Sequence, residues 1–118
     1  MALEAGSAKL ESVYREASTP DWDGHGALVA GSCSYHRAKE FLKLLPDTIP
    51  MPEFSVDPDG EISFDWFYSK ARLISISIGD DGSLTYIGFF GDARMKGVEH
   101  LDEKIPGSIN ELFARIIQ

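Results

Sequence analysis

The residues best suited to chemistry lie in one short glycine-rich segment, Asp21-Trp22-Asp23-Gly24-His25-Gly26-Ala27. Asp21, Asp23 and His25 alternate along it, and His100 could join them from a distant part of the chain. Carboxylate oxygens and imidazole nitrogens bind several divalent ions. The segment lacks the later glutamate and the ligand spacing of an EF-hand calcium loop. A small metal-dependent enzyme that uses these residues is one hypothesis for function.

The same segment also fits a purely structural loop. Gly24 and Gly26, two residues apart, favour a tight turn over a helix or a strand. Trp22 would fold back onto the edge of the core, with its indole N–H on a carbonyl. Asp23 would hold the turn by accepting a backbone hydrogen bond two residues on. This interpretation implies no cofactor, and we expect none.

A thiol nucleophile is a weaker hypothesis. Cys33 precedes a predicted helix, whose dipole favours a thiolate, and His36 follows three residues later. Free cysteine is, however, among the most often buried residues. The sequence contains no nucleophile-elbow, phosphate-loop or dinucleotide-binding motif. These patterns favour a protein that is not an enzyme.

Composition excludes several classes of partner. The 118 residues include 11 basic and 19 acidic side chains, which give a net charge of −8. Binding to nucleic acid or to anionic membranes requires basic side chains, so both are disfavoured. No apolar run approaches the roughly 18 residues of a membrane span. The N-terminus lacks the features of a signal peptide, so we expect a cytoplasmic protein.

The elements that must position these residues are centred on an antiparallel meander from Phe54 to about Glu99. Apolar residues alternate there with polar ones, a period of two that predicts half-buried strands. Asp-Gly pairs at Asp59-Gly60 and Asp81-Gly82 predict tight turns between them. Four strands are expected, with a shorter fifth over residues 94–100. The residues predicted to face the core are Phe54, Val56, Ile62, Phe64, Trp66, Tyr68, Ile74, Ile76, Ile78, Leu84 and Tyr86.

Three helices flank the meander in the sequence. Apolar stripes predict them over residues 3–18, from Ser32 or Ser34 (either of which could cap the helix) to Leu45, and over residues 106–117. A sheet with one apolar face needs a cover, which these helices can supply. The sequence therefore predicts a single α+β domain over residues 1–118. Its antiparallel four- to five-stranded β-meander is covered by two N-terminal helices and one C-terminal helix.

The second face of the sheet is also partly apolar. Alternation places five residues on it: Asp65, Phe67, Thr85, Ile87 and Phe89. Aromatic side chains surrounded by polar residues are typical of protein contact surfaces. We interpret this set as a candidate interaction surface, unless the N-terminal helices cover it.

Two motifs suggest a family. The segment from Asp21 to Ala27 resembles the Trp-Asp-Gly-x-Gly-Ala loop of an uncharacterised group of small bacterial proteins. The segment from Asp59 to Trp66 is similar to the Asp-Gly-x-Ile-x-x-x-Trp strand of that group. Looser similarity continues to residue 117. The chain departs from the pattern at Lys96-Gly97, where a histidine is expected before the glycine, and this disfavours a histidine-based active site. The resemblance implies the fold and a bacterial cytoplasmic origin.

Three hypotheses for function follow. The first is a non-enzymatic acidic module that binds another protein in a regulatory, antitoxin-like or phage–host conflict role. The second is the metal-dependent enzyme. The third is a homodimer formed by edge strands or by the C-terminal helix, with its function in the assembly.

Overall fold

A computed structural model describes residues 3–18, 24 and 31–116 of the chain. Within them it confirms the predicted α+β fold, with three helices and a five-stranded antiparallel sheet. The elements in chain order are α1 (Leu3–Glu16), α2 (Ser32–Leu44), β1 (Glu53–Val56), β2 (Ile62–Ser69), β3 (Arg72–Ile78), β4 (Ser83–Phe90), β5 (Ala93–His100) and α3 (Gly107–Ile116).

The sheet is a meander in which each strand pairs only with its neighbours in sequence, in the order β1-β2-β3-β4-β5. The two Asp-Gly turns form as predicted. Gly60 and Gly82 adopt φ angles of +90° and +85°, a region that residues with a Cβ rarely occupy. The fifth strand is not short, because it pairs with β4 along its whole length, from Ala93 to His100.

One face of the sheet, the inner face, carries the core. Phe64 lies near its centre, with ring centroids 5.4 Å from Phe41 of α2 and 4.9 Å from Phe54 of β1. Trp66 contacts Phe113 of α3, and its indole N–H donates to the carbonyl of Pro50 at 2.7 Å. The buried apolar residues form one cluster that joins the three helices to this face. Within the described residues, no helix is long and apolar enough to cross a membrane.

Helix α3 packs tightly over Gly88 of β4. A Cβ added at Gly88 would collide with the side chain of Leu112 and lie 3.0 Å from the Cδ1 of Ile116. The close approach is therefore made by helix side chains, and glycine supplies the space for them. The strand pairing of β4 is regular at this residue.

The predicted side-chain cap of α2 is wrong. The N-cap residue is Gly31, and no side chain of the helix caps its first turn. Instead, the carboxylate of Asp80, in the β3–β4 turn, accepts the backbone N–H of Ser34 at 3.0 Å. The Ser34 hydroxyl is fully buried, where it donates to the carbonyl of Ile78 at 2.5 Å and accepts the N–H of Ile62 at 3.1 Å. Ser34 thus joins α2 to β2 and β3.

The prediction that Tyr68 faces the core is also wrong. The β2–β3 register shifts between Phe67 and Ser69, so the alternation that holds up to Trp66 is lost at Tyr68. Its side chain is exposed rather than part of the core. The guanidinium of Arg72 lies 5.7 Å from the centre of the Tyr68 ring.

Candidate protein-interaction surface

The face of the sheet opposite the core, called here the outer face, brings the five predicted surface residues together. The strand register places side chains in rows that run across β2, β3, β4 and β5. One row contains Asp65, Ser75, Ile87 and Lys96, and the next contains Phe67, Leu73, Phe89 and Arg94. Thr85 lies in a third row, between Ser77 and Val98.

An apolar patch occupies one end of the outer face. Leu73 is the direct cross-strand neighbour of both Phe67 and Phe89, so its side chain lies within contact distance of each. The side chain of Phe67 is 66% exposed, although it lies in a paired strand. Ile87, diagonal to this row, is half-buried. In the described part of the chain, the ring contacts between helices and sheet lie on the inner face, away from this patch.

Beside the patch the outer face has a shallow depression of about 550 Å³. Its lining combines the short hydroxylated side chains of Ser75, Ser77 and Thr85 with larger ones, which include Ile87, Lys96 and Val98. Val98 is 64% exposed. Short residues between larger ones give the surface relief that a protruding side chain of another protein can fill.

Charge is distributed unevenly across the outer face. Glu53 of β1 and Asp65 of β2 pair at one side, whereas Arg94 and Lys96 both belong to β5 at the other. Asp65 and Lys96 are three strands apart in the same row, roughly 14 Å at the usual spacing. They are too far apart to form an ion pair with each other, so each can pair with a charged group of a binding partner.

The acidic end of the sheet has a structural role. Asp57 accepts hydrogen bonds from the hydroxyls of Ser63 at 2.8 Å and Ser77 at 3.1 Å. Burial raises the pKa of Glu61, and the negative charges of nearby aspartates, Asp59 first, raise it further. Asp59 and Asp81 accept backbone N–H groups within their turns, at 2.9 Å each, and this bond lowers the pKa of Asp81. These carboxylates shape turns and strand ends.

The structure bears little on the proposed metal residues. Asp21, Trp22, Asp23, His25 and Gly26 lie outside the described residues. Gly24 is described, and its φ of +76° is typical of a glycine turn. His100 is exposed at the end of β5, opposite Ser83. Within the described part of the chain, no three histidine, cysteine or acidic side chains are placed to share a metal ion.

The thiol hypothesis gains no support from the arrangement around α2. Cys33 is exposed, and the Nε2 of His36 lies 3.7 Å from the carboxylate of Glu40. The carboxylate of Asp80, and not the thiol, accepts the N–H of Ser34 in the first turn. The carboxylate of Asp80 therefore already supplies the negative charge at the N-terminus of α2.

Four outer-face residues were missed by sequence reasoning: Leu73, Arg94, Lys96 and Val98. The signal was present, since Leu73 directly precedes the core residue Ile74 and must point the other way. For β5 the alternation is weak, and only the register with β4 defines its two faces.

Comparison of the chain with protein families, curated proteins and solved structures finds no match. The resemblance to the bacterial group remains a prediction.

Proposed function

We propose that this protein is a non-enzymatic interaction module that binds a protein partner through its outer face. One observation carries the proposal: Phe67 is two-thirds exposed on the sheet, in one row with the half-buried Leu73 and Phe89. Fully burying a side chain of this size contributes about 1.5–3 kcal/mol. A partner that covers the row therefore gains an apolar anchor.

The surroundings of this row support a protein as the ligand. Asp65, Thr85 and Lys96 border the apolar side chains, which is the arrangement of an apolar centre and a polar rim found in protein interfaces. The net charge of −8 disfavours nucleic acid as the partner. A regulatory role of the antitoxin-like or phage–host conflict kind, in the cytoplasm, is part of this proposal. Such a module would act by occupying the surface of its target.

Site-specific photo-crosslinking tests the proposal. A photoreactive side chain at Thr85, inside the outer face, is compared with one at Lys9, which is exposed on α1. In cells of the source organism we expect a discrete protein adduct from position 85 alone. The adduct should disappear when Phe89→Asp is added, because the charge disrupts the apolar row. Equal adducts at both positions, or none at position 85, would overturn the proposal.

A further inference from the structure

The outer face is complementary to itself under a two-fold rotation in the placement of its charged and apolar residues. Resting on the proposed function, we propose that its partner is a second copy of the same chain, packed sheet to sheet about a two-fold axis. The axis runs parallel to the strands, between β3 and β4. Rotation about it places β2 of one copy over β5 of the other, and β3 over β4, while each row stays opposite itself. Sheets packed face to face align their strands within about 30°, which this axis satisfies.

The charged residues match under this operation. Asp65 on β2 and Lys96 on β5 lie in one row at equal distances from the axis, so the rotation brings Asp65 of each copy onto Lys96 of the other. Both copies thereby gain a pair that neither can make alone. The molecule carries a net charge of −8, yet across β2 to β5, the four strands that the axis superposes, this row contains one acid and one base, and Glu53 lies beyond them on β1. Its charges therefore favour self-association, even though the rest of the surface is acidic.

The apolar residues match as well. In the adjacent row the axis places Leu73 over Phe89 of the second copy, and Phe89 over Leu73. Phe67 meets Arg94 of the second copy, and an arginine over an aromatic ring is an attractive contact. A two-fold interface uses the same patch on both subunits, so a patch must complement itself. These two rows meet that condition without any change in the sheet.

The size of the face fits a weak dimer. β2, β4 and β5 have eight residues each and β3 has seven, so the strands are roughly 23–26 Å long, and four of them side by side are roughly 19 Å wide, which gives a footprint on the order of 500 Å² per copy. The accessible surface of the protruding side chains is larger than this flat footprint. A standard interface buries about 800 Å² per partner, so we expect a dimer of modest affinity.

Charge reversal provides a sharp test by sedimentation equilibrium of the full chain over a wide concentration range. Asp65→Lys alone sets lysine against Lys96, and Lys96→Glu alone sets glutamate against Asp65. Each change should raise the dimer dissociation constant at least about tenfold. The double variant should restore it, and an equimolar mixture of the two single variants should form a heterodimer. Glu16→Lys and Lys9→Glu on α1 are the controls matched for charge, and they should leave dimerisation unchanged.

The results separate this inference from the proposed function. Asp65→Lys makes the chain two units less negative, which by itself favours association, so weaker association identifies a specific contact. A wild-type chain that stays monomeric at all concentrations would overturn the dimer. So would single variants that dimerise normally, or a double variant that stays dissociated while its thermal unfolding is intact. A cross-link from position 85 to a different protein would refute the dimer and keep the proposed function.

Discussion

Ser34→Ala removes the hydroxyl that connects α2 to the sheet. In the wild-type chain this hydroxyl donates to the carbonyl of Ile78 and accepts the N–H of Ile62. The residue is fully buried, so water cannot replace the lost hydroxyl as a hydrogen-bond partner. The substitution removes a single oxygen and changes the packing volume little. Its effect therefore measures the two hydrogen bonds.

The magnitude follows from the cost of depriving buried polar groups of a partner. A typical intramolecular hydrogen bond contributes about 0.5–1.5 kcal/mol, and a buried group left unpaired costs about 1–3 kcal/mol. With two backbone groups affected, we expect Ser34→Ala to lower the free energy of unfolding by about 2–4 kcal/mol. For a domain of this size that is a large part of the total stability.

Urea unfolding followed by circular dichroism measures this loss as a lower midpoint at an unchanged slope. Ser32→Ala is the matched control, because Ser32 lies in the same helical turn but is exposed. We expect this control to change stability by less than about 0.5 kcal/mol. If the two variants unfold at the same urea concentration, the hydroxyl of Ser34 does not stabilise the fold and the reasoning fails.

Two further predictions use the same unfolding assay. Gly88→Ala should lower the free energy of unfolding by about 1–3 kcal/mol, because the added methyl group overpacks against α3. Adding Leu112→Val should recover part of this loss. An unchanged unfolding midpoint for the single variant would contradict the prediction. Glu61→Gln should stabilise the protein near neutral pH, because folding raises the pKa of Glu61 and so disfavours its charged form. The gain should fade as the pH falls through that raised pKa, where wild-type Glu61 takes up a proton; a gain that does not depend on pH would contradict this.

The sequence predicted the meander well because its determinants are local. A period of two and Asp-Gly turns define strands such as Ile62–Ser69, and the same alternation puts Phe67 and Phe89 on the outer face. The wrong predictions concern features that depend on contacts between residues far apart in the sequence. No local pattern shows that Tyr68 follows a register shift, or that the cap of α2 is Asp80.

The outer face was predictable as a set of residues but not as an arrangement. Its aromatic members followed from alternation alone. The placement of Asp65 and Lys96 in one row, three strands apart, depends on three successive strand registers, and the turns between the strands define each register. A shift of one residue in any of them would move a whole set of side chains to the other face. The self-complementary pattern is therefore a property of the folded sheet.

The cap of α2 has a consequence for the order of folding during synthesis. Asp80 lies 46 residues beyond the amide that it accepts, so the start of α2 lacks its anion until the β3–β4 turn has left the ribosome. A nascent helix without this anchor would fray from its amino end. The final cap of α2 therefore forms only when the third hairpin is in place, so the start of the helix and this hairpin stabilise each other.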